Sequence, residues 1–406
     1  MSAAQTHFLD KFLNYRTLFV LLILLYIVKV LSIGEGDFSV YYGAAHDIRQ
    51  GKSIYFVDYP VGNDKCSYSY PPFFAMLLIP FTTLPLRIAD ALWLILNLVL
   101  LFRIFRLVGY FLEINTTLNP KNHRLWVFLT LLFTTRFILY NFDMSQTTFV
   151  LLWGCLESLH LAVKNRLVWS GLILATVISI KLLPLVMLPY FFYRTFFKAG
   201  VWSLGFLILL NLTPSVFYGF EGYLQVVNQW KSVINPTNTE FVLEENNVME
   251  SAHSLSAFVP ALLTDAVTRY DMRRNIAVLP YEKVILWLTL AQLFFIGLTL
   301  FFLKTKPFIA ITNKKRLFYE VSYLMLIVPL IFPHQQKYAF VLLLPAVAFI
   351  SFYILEKKQE GIVSKNIIIL MVIVWLLTTA STDGIIGQEL YQYGQYFKLS
   401  DCSLGD

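Results

Sequence analysis

The sequence predicts an all-α polytopic membrane protein, one bundle of about eleven transmembrane helices over residues 1–406, on three observations. First, 57% of the 406 residues are hydrophobic, 17% aromatic and only 14% charged, with a mean hydropathy of +0.64, more apolar than a soluble globular chain needs. Second, apolar runs near spanning length recur from end to end, among them 18–33, 91–105, 126–139, 149–163, 201–217, 284–303, 339–355 and 367–380. Third, Lys and Arg concentrate in alternate connections, as the positive-inside effect requires.

The first apolar run follows Lys11 and Arg16 and resembles a signal peptide, but no small-residue cleavage site precedes Gly34-Glu35-Gly36-Asp37. It reads as a retained helix with a cytoplasmic N-terminus in the inner (plasma) membrane. The inner stretches are then 1–16, 103–124, 164–166, 194–198, 304–316 and 356–365, which hold more than half of the Lys and Arg but few acidic residues. Residues 168–193 decide the parity: read as one helix they would expose Lys304, Lys306, Lys314, Lys315 and Arg316 outside, so a break at Lys181-Leu182-Leu183-Pro184 is expected, with Lys181 at the outer face. The apolar stretch from Tyr70-Pro71-Pro72 to Leu84 is too short to span and is expected to lie in the outer leaflet.

Two long outer segments remain, 34–70 and 218–282, and long loops at one face often carry function. They are expected to roof the active site. In the first, Asp37 precedes Phe38, Tyr41, Tyr42, Ala44, Ala45 and Ile48 at helical spacing, which predicts an amphipathic helix on the membrane surface. Arg136 lies within an apolar run, and a cation at membrane depth is a functional candidate. With Lys181 and Lys337 it forms a set of three cations at the outer face, where long side chains also reach the interface for purely structural reasons; together they could neutralise a phosphate.

The net charge of +7 is accounted for by the basic loops, and no nucleic-acid partner is expected. The six histidines lack metal-ligand spacing. Neither a metal nor another cofactor is expected. Three cysteines are too few for a disulfide framework, though Cys66 and Cys402 both fall outside the membrane and their pairing stays open.

These residues resemble the GT-C glycosyltransferases, and within them glycosyltransferase family 87, with its polyprenyl-phosphate-mannose-dependent mannosyltransferases. The resemblance runs through Asp37-Phe38-x-x-Tyr41-Tyr42-x-Ala44-Ala45, Gly51 to Tyr55, Tyr70-Pro71-Pro72-Phe73, Gln146, Lys181 to Pro184, Ser254-Leu255 and Pro333 to Tyr338. It implies a GT-C-like bundle and transfer of mannose or another sugar from a polyprenyl-phosphate donor to a lipid or glycan acceptor, on the extracytoplasmic face of the cell envelope and with inversion. Asp37 would be the general base, Arg136, Lys181 and Lys337 would hold the donor phosphate, and Tyr41, Tyr42, Tyr70, Gln146, Ser254 and His334 would line the substrate site. Two departures stand out: Ser145-Gln146 replaces the usual Gly-Gln, and Gln335-Gln336-Lys337 replaces a Ser-Trp and a His. A transporter or lipid-linked-sugar flippase is the rival from another class, but carriers place charge near the midplane, whereas here it gathers at the outer edge.

Overall fold

The computed structural model describes residues 24, 26–28, 36–62, 64–234, 252–265, 275–303, 306–333, 335–362, 365–378 and 387. Most of the first apolar run, His334 and Cys402 lie outside the described residues. The chain is a helical membrane bundle. Among the described residues four helices are long and apolar enough to cross a bilayer, Leu86–Leu112, Pro120–Asp143, Tyr281–Leu303 and Lys337–Gln359; a fifth counts if Phe197–Leu212 and Ser215–Val233, bent by 93°, form one span. The described residues do not reach eleven spans, and most of the first apolar run lies outside them. Several apolar segments are shorter than a crossing, among them Thr148–Val163, Leu167–Ile180 and Leu183–Tyr193.

The segment 34–70, expected to be the first outer one, opens with α1 (Phe38–Arg49). A two-stranded antiparallel hairpin follows, β1 (Asp58–Val61) and β2 (Asp64–Ser67), paired from Asp58↔Ser67 to Val61↔Asp64. This corrects the all-helical expectation locally: a Gly62-Asn63 step between two four-residue strands is a two-residue hairpin signal in the sequence. Next come the short α2 (Pro72–Leu77) and a 3-10 turn at Ile79–Thr83, a broken stretch that does not span.

A second correction concerns α1. Its apolar face does not lie on lipid, because Phe38, Val40, Tyr41, Ala44, Ala45 and Ile48 are all buried in protein. Phe38 stacks on Trp93, and Gly43 admits the Tyr59 ring of β1 where a Cβ would collide with it.

The bundle then runs through α3 (Leu86–Leu112), α4 (Pro120–Asp143), α5 (Thr148–Val163) and α6 (Leu167–Ile180). Asn119 caps α4 by accepting from Asn122 N–H at 2.9 Å, with Pro120 at the first helical position. The break after α6 is present: Lys181 is extended, Leu183–Val186 is a 3-10 turn, and α7 (Met187–Tyr193) follows. Helix α6 packs against α8 (Phe197–Leu212) at small residues, where Gly171 meets the backbone of Trp202 and Ser203 too closely for a Cβ. Close approach through small residues is how helices gain contact in lipid, where no hydrophobic force drives them together.

Past the 93° bend, α9 (Ser215–Val233) lies over the outer segment, with the Trp230 indole donating to Ser69 O and Tyr218 hydroxyl to Lys52 O. The remaining helices are α10 (Leu255–Leu263), α11 (Tyr281–Leu303), α12 (Lys314–Ile331), a 3-10 turn at Lys337–Leu343 leading into α13 (Leu344–Gln359), and α14 (Lys365–Thr378). At the end of the bundle far from Asp37, ion pairs gather the basic stretches: Lys314–Glu113 at 3.2 Å and Lys315–Glu356 at 3.1 Å. There Arg194 and Glu320, both fully buried, form a bidentate pair at 2.7 Å that joins the end of α7 to α12.

Candidate functional site

The carboxylate of Asp37 sits where the first outer segment crosses the turn between α4 and α5. Gly36 makes this crossing feasible: a Cβ there would come within 2.7 to 3.0 Å of the Asp143 and Met144 backbone. Asp37 N–H donates to Met144 O at 3.1 Å, which fixes the start of α1 against the turn.

The same turn supplies Gln146. Its side-chain N–H donates to Asp37 Oδ2, while its Oε1 accepts from the hydroxyls of Tyr41 at 3.3 Å and Tyr70 at 3.2 Å. These two hydroxyls are themselves 2.8 Å apart. One buried amide therefore ties the carboxylate to a tyrosine pair. The turn is braced from below by Ser145, which adopts φ 48°, donates its hydroxyl to Asp90 at 2.8 Å and accepts from the Trp93 indole at 2.8 Å. A left-handed residue is where glycine is expected. Ser145 occupies it here with its side chain bonded to a buried carboxyl group, which accounts for the departure from Gly-Gln in local terms.

Lys181, at the break after α6, completes the cluster. Its Nζ lies over the rings of Tyr70 and Tyr338, 5.1 Å from each centroid. Burial pushes the Asp37 carboxyl from its ordinary range up to about 6, against the opposing pull of the Lys181 charge and the Gln146 hydrogen bond. Burial likewise holds the Tyr41 phenol well above its ordinary range, so it stays a neutral donor. A carboxyl that titrates near neutrality beside a cation can take up a proton while the cation faces an anion.

Five of the expected site residues are thus brought together: Asp37, Tyr41, Tyr70, Gln146 and Lys181. Lys337 is buried one aromatic ring further on, its Nζ 5.0 Å from the centre of Tyr140, and Arg136 precedes Tyr140 by one turn on the same face of α4. Ser254 lies beside this second group rather than the first: it precedes α10, its hydroxyl pairs with that of Ser256 at 2.7 Å, and its neighbour His253 donates backbone N–H to Gln335 O at 2.8 Å. Tyr42 turns away and donates to Leu84 O at 2.9 Å. Sequence reasoning had Tyr338 within a motif but gave it no role, and missed Tyr140, Asp90 and Trp93. Only Asp90 carried its own signal, an acidic residue at the edge of an apolar run. Among the described residues no group of three or more His, Cys, Asp or Glu is assembled that could hold a metal.

The sequence model of glycosyltransferase family 87 matches residues 68–313, more than half of the chain. The matched region contains Tyr70, Arg136, Gln146, Lys181 and Ser254, whereas Asp37, Tyr41 and Lys337 lie outside it. No curated protein and no solved structure matches the chain.

Proposed function

The chain belongs to glycosyltransferase family 87 and is a membrane glycosyltransferase, and from that premise we propose that it moves a sugar from a polyprenyl-phosphate donor to the hydroxyl of a lipid or glycan acceptor, with inversion, on the extracytoplasmic face. In the proposed step the acceptor oxygen attacks the anomeric carbon as the bond from that carbon to the phosphate oxygen breaks. The acceptor proton passes to Asp37, and the electron pair leaves with the polyprenyl phosphate. Lys181 offsets the charge growing on that phosphate, and the more distant Arg136 and Lys337 extend the positive field toward it. The observation that carries this reading is the pairing of a carboxyl raised to about 6 with a lysine over two tyrosine rings.

The test uses purified protein in lipid nanodiscs, a panel of polyprenyl-phosphate sugars, and release of polyprenyl phosphate as the readout. Asp37→Asn is expected to lower turnover about a hundredfold to ten-thousandfold, the usual worth of a positioned base, with donor binding retained. Glu35→Gln and Asp58→Asn are the controls. Wild-type turnover in Asp37→Asn would remove the base from the proposal, and release from none of the donors would remove the donor class.

A further inference from the structure

At the end of the bundle away from Asp37, a cleft of about 540 Å³ opens between α3, α5 and α6. We propose that it binds one anionic phospholipid, with its headgroup phosphate on Arg106 and an acyl chain against Val99, Trp153 and Ile173.

Arg106 follows Asp90 along α3 by about 24 Å of helical rise, so the basic end of the cleft lies well along the bundle from the Asp37 cluster. Its charge balance is uneven. Arg103 is already committed, its guanidinium making two bonds of 2.7 Å to Glu157. Arg106 is exposed and has no hydrogen-bond or ion-pair partner among the described residues, which leaves the cleft one positive charge over. The surroundings add to that excess, since Lys164 and Arg166 act electrostatically on His160 alongside Arg103 and Glu157. A single phosphodiester supplies the missing charge, and a hydrocarbon chain suits the remaining walls. A zwitterionic lipid would bring a second cation to a site that has a surplus of them, so the charge selects an anionic headgroup.

The experiment reads Trp153. Full-length protein in nanodiscs receives phospholipids brominated on their acyl chains, either phosphatidylglycerol or phosphatidylcholine, and the quenching lost in Trp153→Phe is assigned to the cleft. Brominated phosphatidylglycerol is expected to quench this component at about fivefold lower mole fraction than brominated phosphatidylcholine, the worth of one basic residue near a membrane surface. Arg106→Gln, a change at an exposed position, should abolish the difference. Ile173→Phe, which fills the cleft and keeps the charge, should reduce quenching by both lipids. Equal quenching in the wild type, a preference that survives Arg106→Gln, or relief of quenching by a neutral polyprenol would overturn the proposal.

Discussion

Asp37 is held in a state that favours its neutral form, and this has consequences for both activity and stability. Because its carboxyl titrates at about 6, kcat/KM for transfer is expected to rise with pH through that value, as the free enzyme's base loses its proton. Gln146→Leu removes an interaction that pulls the titration down, and Lys181→Met removes the larger one, so each should move the acid limb to higher pH. A limb that stays in place in both variants would mean that another group titrates. The stability effect has the opposite sign. A carboxyl raised in the fold stabilises it below the ordinary carboxylate pKa, and that contribution is lost as pH rises through about 6. Asp37→Asn stays neutral at every pH, so above neutrality it should unfold at a higher temperature than wild type in detergent, although its turnover collapses.

The elements around the site depend on contacts that tolerate little change. Gly36→Ala places a methyl group against the backbone of Asp143 and Met144, so either α1 or the turn carrying Gln146 must shift. We expect a fall in turnover with the bundle still folded, measured as release of polyprenyl phosphate beside a thermal unfolding curve. Far from the site, α7 and α12 are joined by the buried Arg194–Glu320 pair, to which Tyr190 adds a 3.2 Å hydrogen bond. Arg194→Met removes the bidentate partner of a buried carboxylate but leaves it Arg316 at 3.1 Å and Tyr190, so it should cost less than the roughly 3–5 kcal/mol of a carboxylate left wholly unpaired, and pairing it with Glu320→Leu should recover part of that loss. Thermal unfolding of both variants tests the coupling. A double variant no more stable than the single would show that Arg194 acts through other contacts, such as that with Lys306 O.

Across the whole molecule, the two ends of the bundle differ in kind. One carries Asp37, the tyrosine pair and Lys181 beneath α9; the other carries the ion pairs Lys314–Glu113 and Lys315–Glu356 and a hydrogen bond from Asn122 to Gln359. With the first end extracytoplasmic, Cys66 restored to a cysteine-free background should react with a membrane-impermeant thiol reagent in intact cells, because it is exposed on β2. Lys315→Cys and Lys358→Cys in the same background should not. Labelling at Lys315 but not at Cys66 would reverse the orientation and put the Asp37 cluster on the cytoplasmic side.

Hydropathy and loop charge alone determined the class of this protein, because a bilayer admits few backbone solutions and apolar runs of spanning length announce them. They also located the break at Lys181, since one unbroken helix over 168–193 would put Lys304, Lys306, Lys314, Lys315 and Arg316 on the outer side. The motif residues Asp37, Tyr41, Tyr70, Gln146 and Lys181 were legible as candidates one by one. Their convergence was not, because it depends on a backbone crossing at Gly36 and on a left-handed Ser145 fixed by Asp90, contacts between segments more than fifty residues apart. The burial of the apolar face of α1 in protein rather than lipid was likewise decided only by packing, since periodicity states that a face is apolar and not what covers it.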